Sequence, residues 1–459
     1  MKREQNEVGR VTPCAPLVAN RTPARRGLTR PTFKVHRIFI LLIACFSFVS
    51  ESSASTAKLI PSKEIGWPQF RGLHRDGISS ETGLLQEWPE NGPRVLWSVT
   101  NVGRGFSAPV ISGGKLIITG DFDERLELLA FDLAGKPLWR ATNGLSWKTP
   151  YPGSRASPTF SAGKLYHQNA HGRVVCLDPA NGRELWAVDV LEKFGGNNIT
   201  WGMSECLLVD DRAVYVTAGG KDALVVALNK TNGAVIWKSE PLYESTGDKT
   251  LENASYVSPI LVQFGKRRLI IGASLRNLYC VDADTGALQW TQPMRTSYSV
   301  LAMMPALIGD AVFMTAPHGR GGRLWNLKET GDKVTAEEIW QTTLDTCQGS
   351  VVHHDGKIFG SFYPGRKGWA AVDASNGKVL YQTDEFVKGA VLYADKRLYA
   401  LSEDGWMRLL ESKENEFAVR GKFQLTDAKS RDAWAHPVIL DGRLYLRYYD
   451  TLTCYDVRR

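Results

Sequence analysis

One short phrase recurs along the chain, and it limits the fold more than any other feature. Residues 175–186 read V-C-L-D-P-A-N-G-R-E-L-W: an apolar run ends in Asp178, a Pro-Ala-Asn-Gly turn follows, and a second apolar run closes on Trp186. Asn-Gly between two strand-like runs marks a tight hairpin, because the turn needs φ > 0 and glycine supplies it cheaply. Residues 131–135 lead to Trp139 in the same way, 227–233 to Trp237, 280–286 to Trp290 and 371–377 to Tyr381. A looser copy at 325–328 reaches Trp340 through a longer loop. The aromatic-to-aromatic steps are 47, 51, 53, 50 and 41 residues. A period of that size in an all-β pattern predicts propeller blades of about four strands each.

A simpler hairpin precedes each copy, with turns near Gly113, Gly163, Asp210, Gly265, Gly309, Asp355, Asp395 and Asp441. Eight such hairpins predict eight blades. The last blade is one strand short, since the chain stops soon after Tyr455 and Asp456. Residues 94–99 look like a Trp-bearing outer strand with nothing before it to pair with. The expected fold is therefore an all-β, eight-bladed propeller in which strand 94–99 completes the last blade, which removes an open sheet edge.

The formal charge of +8 is concentrated at one end. Residues 1–57 carry nine Lys/Arg against three Glu, which leaves the body near +2. That gives no electrostatic case for nucleic acid. Within this leader, a basic flank at 34–37, an apolar run at 38–49 and a small-residue stretch at 50–57 read as a secretory signal. The apolar run is short for a membrane span. Leu42-Ile43-Ala44-Cys45 has the look of a lipobox, although the apolar run continues past Cys45. The expected organisation is 1–57 leader and signal, 58–93 an extension lying across blades, and 94–459 the propeller. The mature chain is expected to be exported to the periplasm or cell envelope, monomeric and without a transmembrane domain. Its five cysteines are oddly numbered and widely spaced, which argues against a disulfide framework, a zinc site or haem attachment. Cys176, Cys280 and Cys454 share one strand position in three blades and read as small buried hydrophobes.

The repeated Asp-x-x-x-Gly-x-x-x-Trp phrase, clearest from Asp282 to Trp290, joins a Trp-Pro-x-Phe-Arg-Gly opening at 67–72. Together they make the chain resemble the PQQ-like (pyrroloquinoline quinone repeat) β-propeller proteins, from about residue 64 to the C-terminus. The resemblance implies one of two branches: quinoprotein dehydrogenases, which use PQQ and usually Ca²⁺ on alcohols or sugars, or non-catalytic scaffolds such as those of outer-membrane barrel assembly. The adjacent-cysteine pair carried by many of the dehydrogenases and the Cys-x-x-Cys-His haem motif are both absent from the sequence. The repeat's own Asp and Asn residues are accounted for by turns.

Propeller geometry places a site at the mouth of the central channel, where the loops leading into the inner strands meet the second-to-third-strand loops. The expected binding residues there are Arg104, Arg155, Trp201, Lys221, Tyr256, Arg276, Arg320, Trp434 and His436; no catalytic or metal-ligating set stands out. Cations interleaved with aromatics suit an anionic or polar ligand held by forked hydrogen bonds and stacking. The leading expectation is a binding or scaffold protein that recognises a small polar or anionic ligand, or an envelope protein, at this mouth. A PQQ-dependent oxidoreductase and an envelope-assembly scaffold pairing through strand edges are the alternatives.

Overall fold

A computed structural model of the chain describes residues 56–243, 250–364, 368–426 and 432–459. The expected signal and Cys45 lie outside the described residues. Eight antiparallel sheets follow one another along the sequence. Blades 1 to 7 span residues 110–145, 159–189, 208–238, 260–293, 306–342, 352–383 and 389–424. Blade 8 takes three strands from residues 438–456, and Arg94–Val99 is its fourth, with Val95 opposite Tyr455 and Trp97 opposite Cys454. No helix among the described residues is long and apolar enough to cross a membrane.

The repeated phrase does two jobs. Its Asp or Asn holds the turn: Asp132 Oδ1 accepts from Ala134 and Lys136, Asp282 Oδ1 from Asp284 and Thr285, and Asn229 Oδ1 from Thr231. Its Gly and Trp join blade to blade. Trp97, Trp139, Trp186 and Trp237 each donate an indole N–H, at 2.9–3.1 Å, to the carbonyl just after the next blade's Asp or Asn. Each ring also lies flat over that blade's glycine. A Cβ at Gly182 would stand 2.6 Å from Trp139, and one at Gly286 would stand 2.5 Å from Trp237. These glycines are therefore needed twice, for a left-handed φ and for the close approach of the ring. In the row behind the tryptophans, Cys176, Cys280 and Cys454 are buried, free, and directly opposite Trp186, Trp290 and Trp97.

Blade 7 breaks the rule. Its outer strand Phe417–Gln424 carries Gly421 opposite Leu409, the register that holds Tyr381 in blade 6 and Trp97 in blade 8. The ring comes instead from the extension. Trp88 is buried over Gly421 and packs on Tyr399 at 5.8 Å, as Trp97 packs on Tyr445 in blade 8 and Trp186 on Tyr166 in blade 2.

The rest of the extension runs through the middle of the ring. Ala57–Leu59 adds a fifth strand to the inner edge of blade 4. Trp67 pairs with Ile111 of blade 1, and Ile78 with Tyr393 of blade 7. Between them Arg71 and Arg75 are buried in the channel. Arg75 donates to the carbonyls of Cys206 and Leu207; Arg71 donates to those of Asp76 and Val351. Inner strands of a propeller leave carbonyls facing the axis, and buried acceptors need donors. Two guanidinium groups satisfy several at once. At the closing seam Arg447 of blade 8 is 1% exposed and donates to the carbonyls of Gly103, Thr119 and Tyr449 and to Ser107 Oγ.

Candidate ligand-binding site

The loops leading into the inner strands carry large side chains because each emerges from a strand end with solvent on one side and the axis on the other. Where they converge, they enclose a cavity of about 400 Å³. Phe106, Tyr151, Trp201, Tyr256, Tyr298, Tyr363 and Trp434 supply its aromatic wall, and Phe70 and His436 are among the residues that line it. The rings brace one another. Trp434 lies 4.8 Å from Phe106 and 5.5 Å from Tyr151, and Trp201 lies 5.7 Å from Tyr256. His318 sits between Tyr298 and Tyr363 at 4.8 and 5.3 Å. Below, the Phe70 ring meets the His436 ring edge-on at 4.8 Å, and Arg71 approaches His436 Nδ1 at 3.3 Å. The extension therefore stops the channel under the cavity.

The charged groups at this wall are already engaged. Arg155 donates Nε to the Trp201 carbonyl at 2.6 Å and its terminal nitrogens to the carbonyls of Pro150, Tyr151 and Gly153. Burial lowers its pKa to about 10. Lys388 pairs with Glu403, which also accepts from Trp434 Nε1 at 2.8 Å and from Gln348 Nε2 at 3.1 Å. Burial, helped by the Arg71 charge, holds His436 neutral with a pKa near 3, and burial lowers His318 as well. Asp121, behind Arg155, is pushed up to about 6 by burial.

Of the nine residues expected at the mouth, Arg155, Trp201, Tyr256, Trp434 and His436 line the cavity. Arg104, Lys221 and Arg320 are exposed and lie outside its lining. Lys221 bridges to Asp222 next to it, and Arg276 bridges to the buried Glu252 at 2.7 Å, as a blade-sealing pair would. Sequence reasoning passed over Tyr151, Tyr298 and Tyr363, which sit in loops of unrelated sequence. It also passed over Phe70, whose place under the cavity depends on the path of the extension. The Trp-Pro-x-Phe-Arg-Gly opening was the available signal for Phe70, since it sets an aromatic beside a buried arginine.

Glu205 stands behind this wall, between the lining residues Ser204 and Cys206. Its carboxylate accepts from the Thr217 N–H at 3.1 and 3.3 Å, and Thr217 Oγ1 meets Tyr279 Oη at 2.7 Å. Burial pushes its pKa up to about 7, against the pull of Thr217 and Arg75. A raised carboxyl pKa favours the folded state below the ordinary value of about 4.3 and loses that contribution as pH rises towards 7. Glu205→Gln is therefore expected to be more stable than the parent at pH 8, by on the order of 3 kcal/mol. The gap should close towards pH 4.5; equal urea midpoints at pH 8 would refute this.

The PQQ–Ca²⁺ pair implied by the dehydrogenase branch can be tested against this wall. Ca²⁺ takes six to eight oxygen ligands, mostly carboxylates and carbonyls. The described residues lining the cavity include no carboxylate, and no group of three or more His, Cys, Asp or Glu side chains that could hold a metal ion occurs among the described residues. PQQ itself carries carboxylates, and the guanidinium that could fork to one has given four of its five N–H donors to carbonyls. The residues present do not fit that pair.

Known proteins agree with the architecture. The family model described as outer membrane protein assembly factor BamB matches residues 78–221 and 221–334. Outer membrane protein assembly factor BamB of Yersinia pestis is 24% identical over 276 residues, covering 56% of this chain and 65% of that protein. Quinoprotein ethanol dehydrogenase of Pseudomonas aeruginosa is 29% identical over 261 residues, covering 50% of this chain and 40% of that protein. The chain thus spans less than two thirds of the length of these relatives. Among solved structures, quinohemoprotein alcohol dehydrogenase from Comamonas testosteroni matches with a TM-score of 0.62 at 13% identity, covering 85% of this chain and 80% of that one. BamB from Moraxella catarrhalis matches with a TM-score of 0.55 at 13% identity, covering 79% of this chain and 99% of that one. At such identities the structural likeness speaks for the fold alone. With the family model matched over more than half its length, the chain belongs to the PQQ-like repeat family described as outer membrane protein assembly factor BamB.

Proposed function

We propose that this chain is an exported, non-catalytic propeller that binds a small polar ligand in its channel mouth. One observation carries the reading: a cavity of about 400 Å³ lies on the mouth side, ringed by seven aromatic side chains and stopped from below by the extension. A site of that size, mostly apolar with a few placed polar groups, has the make-up of a ligand pocket. The reactive groups near it are held quiet. His436 is neutral and hydrogen-bonded at both ring nitrogens, to Arg71 and to the Gln348 carbonyl, and burial pushes the Cys347 thiol up to about 12. Among the described residues that line this wall, no nucleophile is paired with a base. The test is ligand-observed NMR with a library of small polar solutes, comparing the parent with Trp201→Ala/Trp434→Ala. Hits are expected on the parent and lost, about tenfold or more in affinity, on the variant. Hits unchanged by the two substitutions would place binding elsewhere.

A second reading, an envelope-assembly scaffold, is favoured by the outer strands. Leu138, Ile236, Ile339 and Leu380 precede the docking aromatic in blades 1, 3, 5 and 6 and are 46%, 51%, 53% and 43% exposed. These outer strands, with apolar side chains outward, can accept a partner strand. Charged substitutions at these four positions should abolish co-purification of envelope proteins if that reading holds. The oxidoreductase alternative predicts dye reduction with ethanol or glucose after incubation with PQQ and Ca²⁺.

A further inference from the structure

We propose that the mouth cavity is a carbohydrate site that takes an uncharged oligosaccharide. This rests on the reading of the cavity as a ligand site, and it names the class of ligand.

The wall is made of ring faces carrying polar tips. Phe106 and Trp434, whose indole N–H is given to Glu403, offer faces alone, and Trp201 offers a face with an indole N–H. Tyr151, Tyr298 and Tyr363 offer faces with hydroxyls that have no hydrogen-bond partner among the described residues, and Tyr151 and Tyr298 are 56% and 65% exposed. The side-chain carbonyl of Gln348, on the same wall, is likewise unpartnered there, since that residue spends its amide N–H on Glu403. A pyranose ring is built to match. Its faces present C–H groups, which pack by dispersion on the electron-rich face of an aromatic ring, while its rim presents hydroxyls that both donate and accept. A purely apolar ligand of the same size would strip water from the tyrosine hydroxyls and return no hydrogen bond, a penalty of about 1–3 kcal/mol for each group left unpaired.

Charge narrows the choice further. An anionic ligand needs a cation with donors to spare. Arg155 has given donors to four backbone carbonyls, Lys388 is paired with Glu403, and His318 and His436 are held towards the neutral form. A cationic ligand, of the kind that aromatic cages hold, gains from a carboxylate at the wall. Here the described lining has none, and the guanidinium of Arg155 stands in it instead. A cationic ligand would be desolvated beside a like charge, and an anion would meet one guanidinium that has given four of its five N–H donors to carbonyls, so an uncharged ligand loses least. What remains is a neutral molecule with many hydroxyls and flat C–H faces.

Isothermal titration of the full chain tests this with cellotetraose, maltotetraose, xylotetraose and chitotetraose as neutral probes, tetragalacturonate as the charged counterpart and indole as the apolar one. At least one neutral saccharide is expected to bind with Kd below about 1 mM. Tetragalacturonate is expected to bind about tenfold or more weakly, and Trp434→Ala to weaken the best saccharide about tenfold. Tyr298→Phe removes one exposed hydroxyl and should cost about three- to tenfold in saccharide affinity while leaving the urea midpoint and indole binding unchanged. If no neutral saccharide binds, or tetragalacturonate binds more tightly, the assignment is overturned. Indole binding that Trp434→Ala abolishes, with no saccharide bound, would refute the sugar and leave the mouth as a ligand site. Binding of any probe that ignores Trp434→Ala and Trp201→Ala would overturn both.

Discussion

Arg447→Ala is expected to lower unfolding free energy by about 4 kcal/mol or more, one of the two largest losses expected here from a single substitution. Arg447 is fully enclosed where the end of the ring meets its beginning, and it donates to four carbonyls and a serine hydroxyl, of which those of Gly103, Ser107 and Thr119 belong to the lead-in and second strand of blade 1. Burial lowers its pKa to about 9, yet at neutral pH it stays charged. Thr119 O and Ser107 Oγ keep other donors, but removing Arg447 would take the side-chain donor from the carbonyls of Gly103, Ser107 and Tyr449, each loss costing about 1–3 kcal/mol. Arg447→Lys should recover little, because one ammonium cannot span acceptors that a planar fork reaches. Urea denaturation followed by tryptophan fluorescence measures both. A midpoint for the alanine variant within error of the parent would show that the seam is held by the Arg94–Val99 strand alone.

The second large effect is expected from a residue outside the repeats. Trp88→Ala should cost about 3–5 kcal/mol, the range for deleting a buried aromatic. Its ring fills the slot that blade 7 leaves open at Gly421, against Tyr399 and Phe423. The ring cannot simply be moved back to the strand. A Cβ at Gly421 would stand 2.5 Å from the Trp88 Cβ and 2.9 Å from the Trp88 backbone nitrogen, atoms that Trp88→Ala keeps. Gly421→Trp should therefore destabilise the parent and the Trp88→Ala variant alike. Urea denaturation measures each, and a Trp88→Ala midpoint within error of the parent would rule out the slot.

Much of this architecture was readable in the chain. Asp282, Gly286 and Trp290, and their counterparts at 132, 135 and 139, are local signals: turn geometry demands the first two, and strand patterning places the third. Their spacing set the blade period, the eight inner hairpins set the number of blades, and the orphan strand at 94–99 pointed to its pairing partner. The mouth was legible in part. Arg155, Trp201, Tyr256, Trp434 and His436 were found because the loops that carry them could be assigned to one face. Arg276 shows the limit, for a cation in a mouth loop reads the same whether it awaits a ligand or, as here, pairs with the buried Glu252.

Sequence alone determined the period, the number of blades and the strand that closes the ring, because hairpin turns and alternating strands are written in neighbouring residues. Only the folded ring decided that Phe70, Arg71 and Arg75 stop the channel, that Trp88 stands in for a missing blade tryptophan, and that the guanidinium of Arg155 is spent on carbonyls. Those facts depend on which residues meet across 46 to 365 positions of chain. Burial and hydrogen bonding act on distance in space, and no local pattern encodes it.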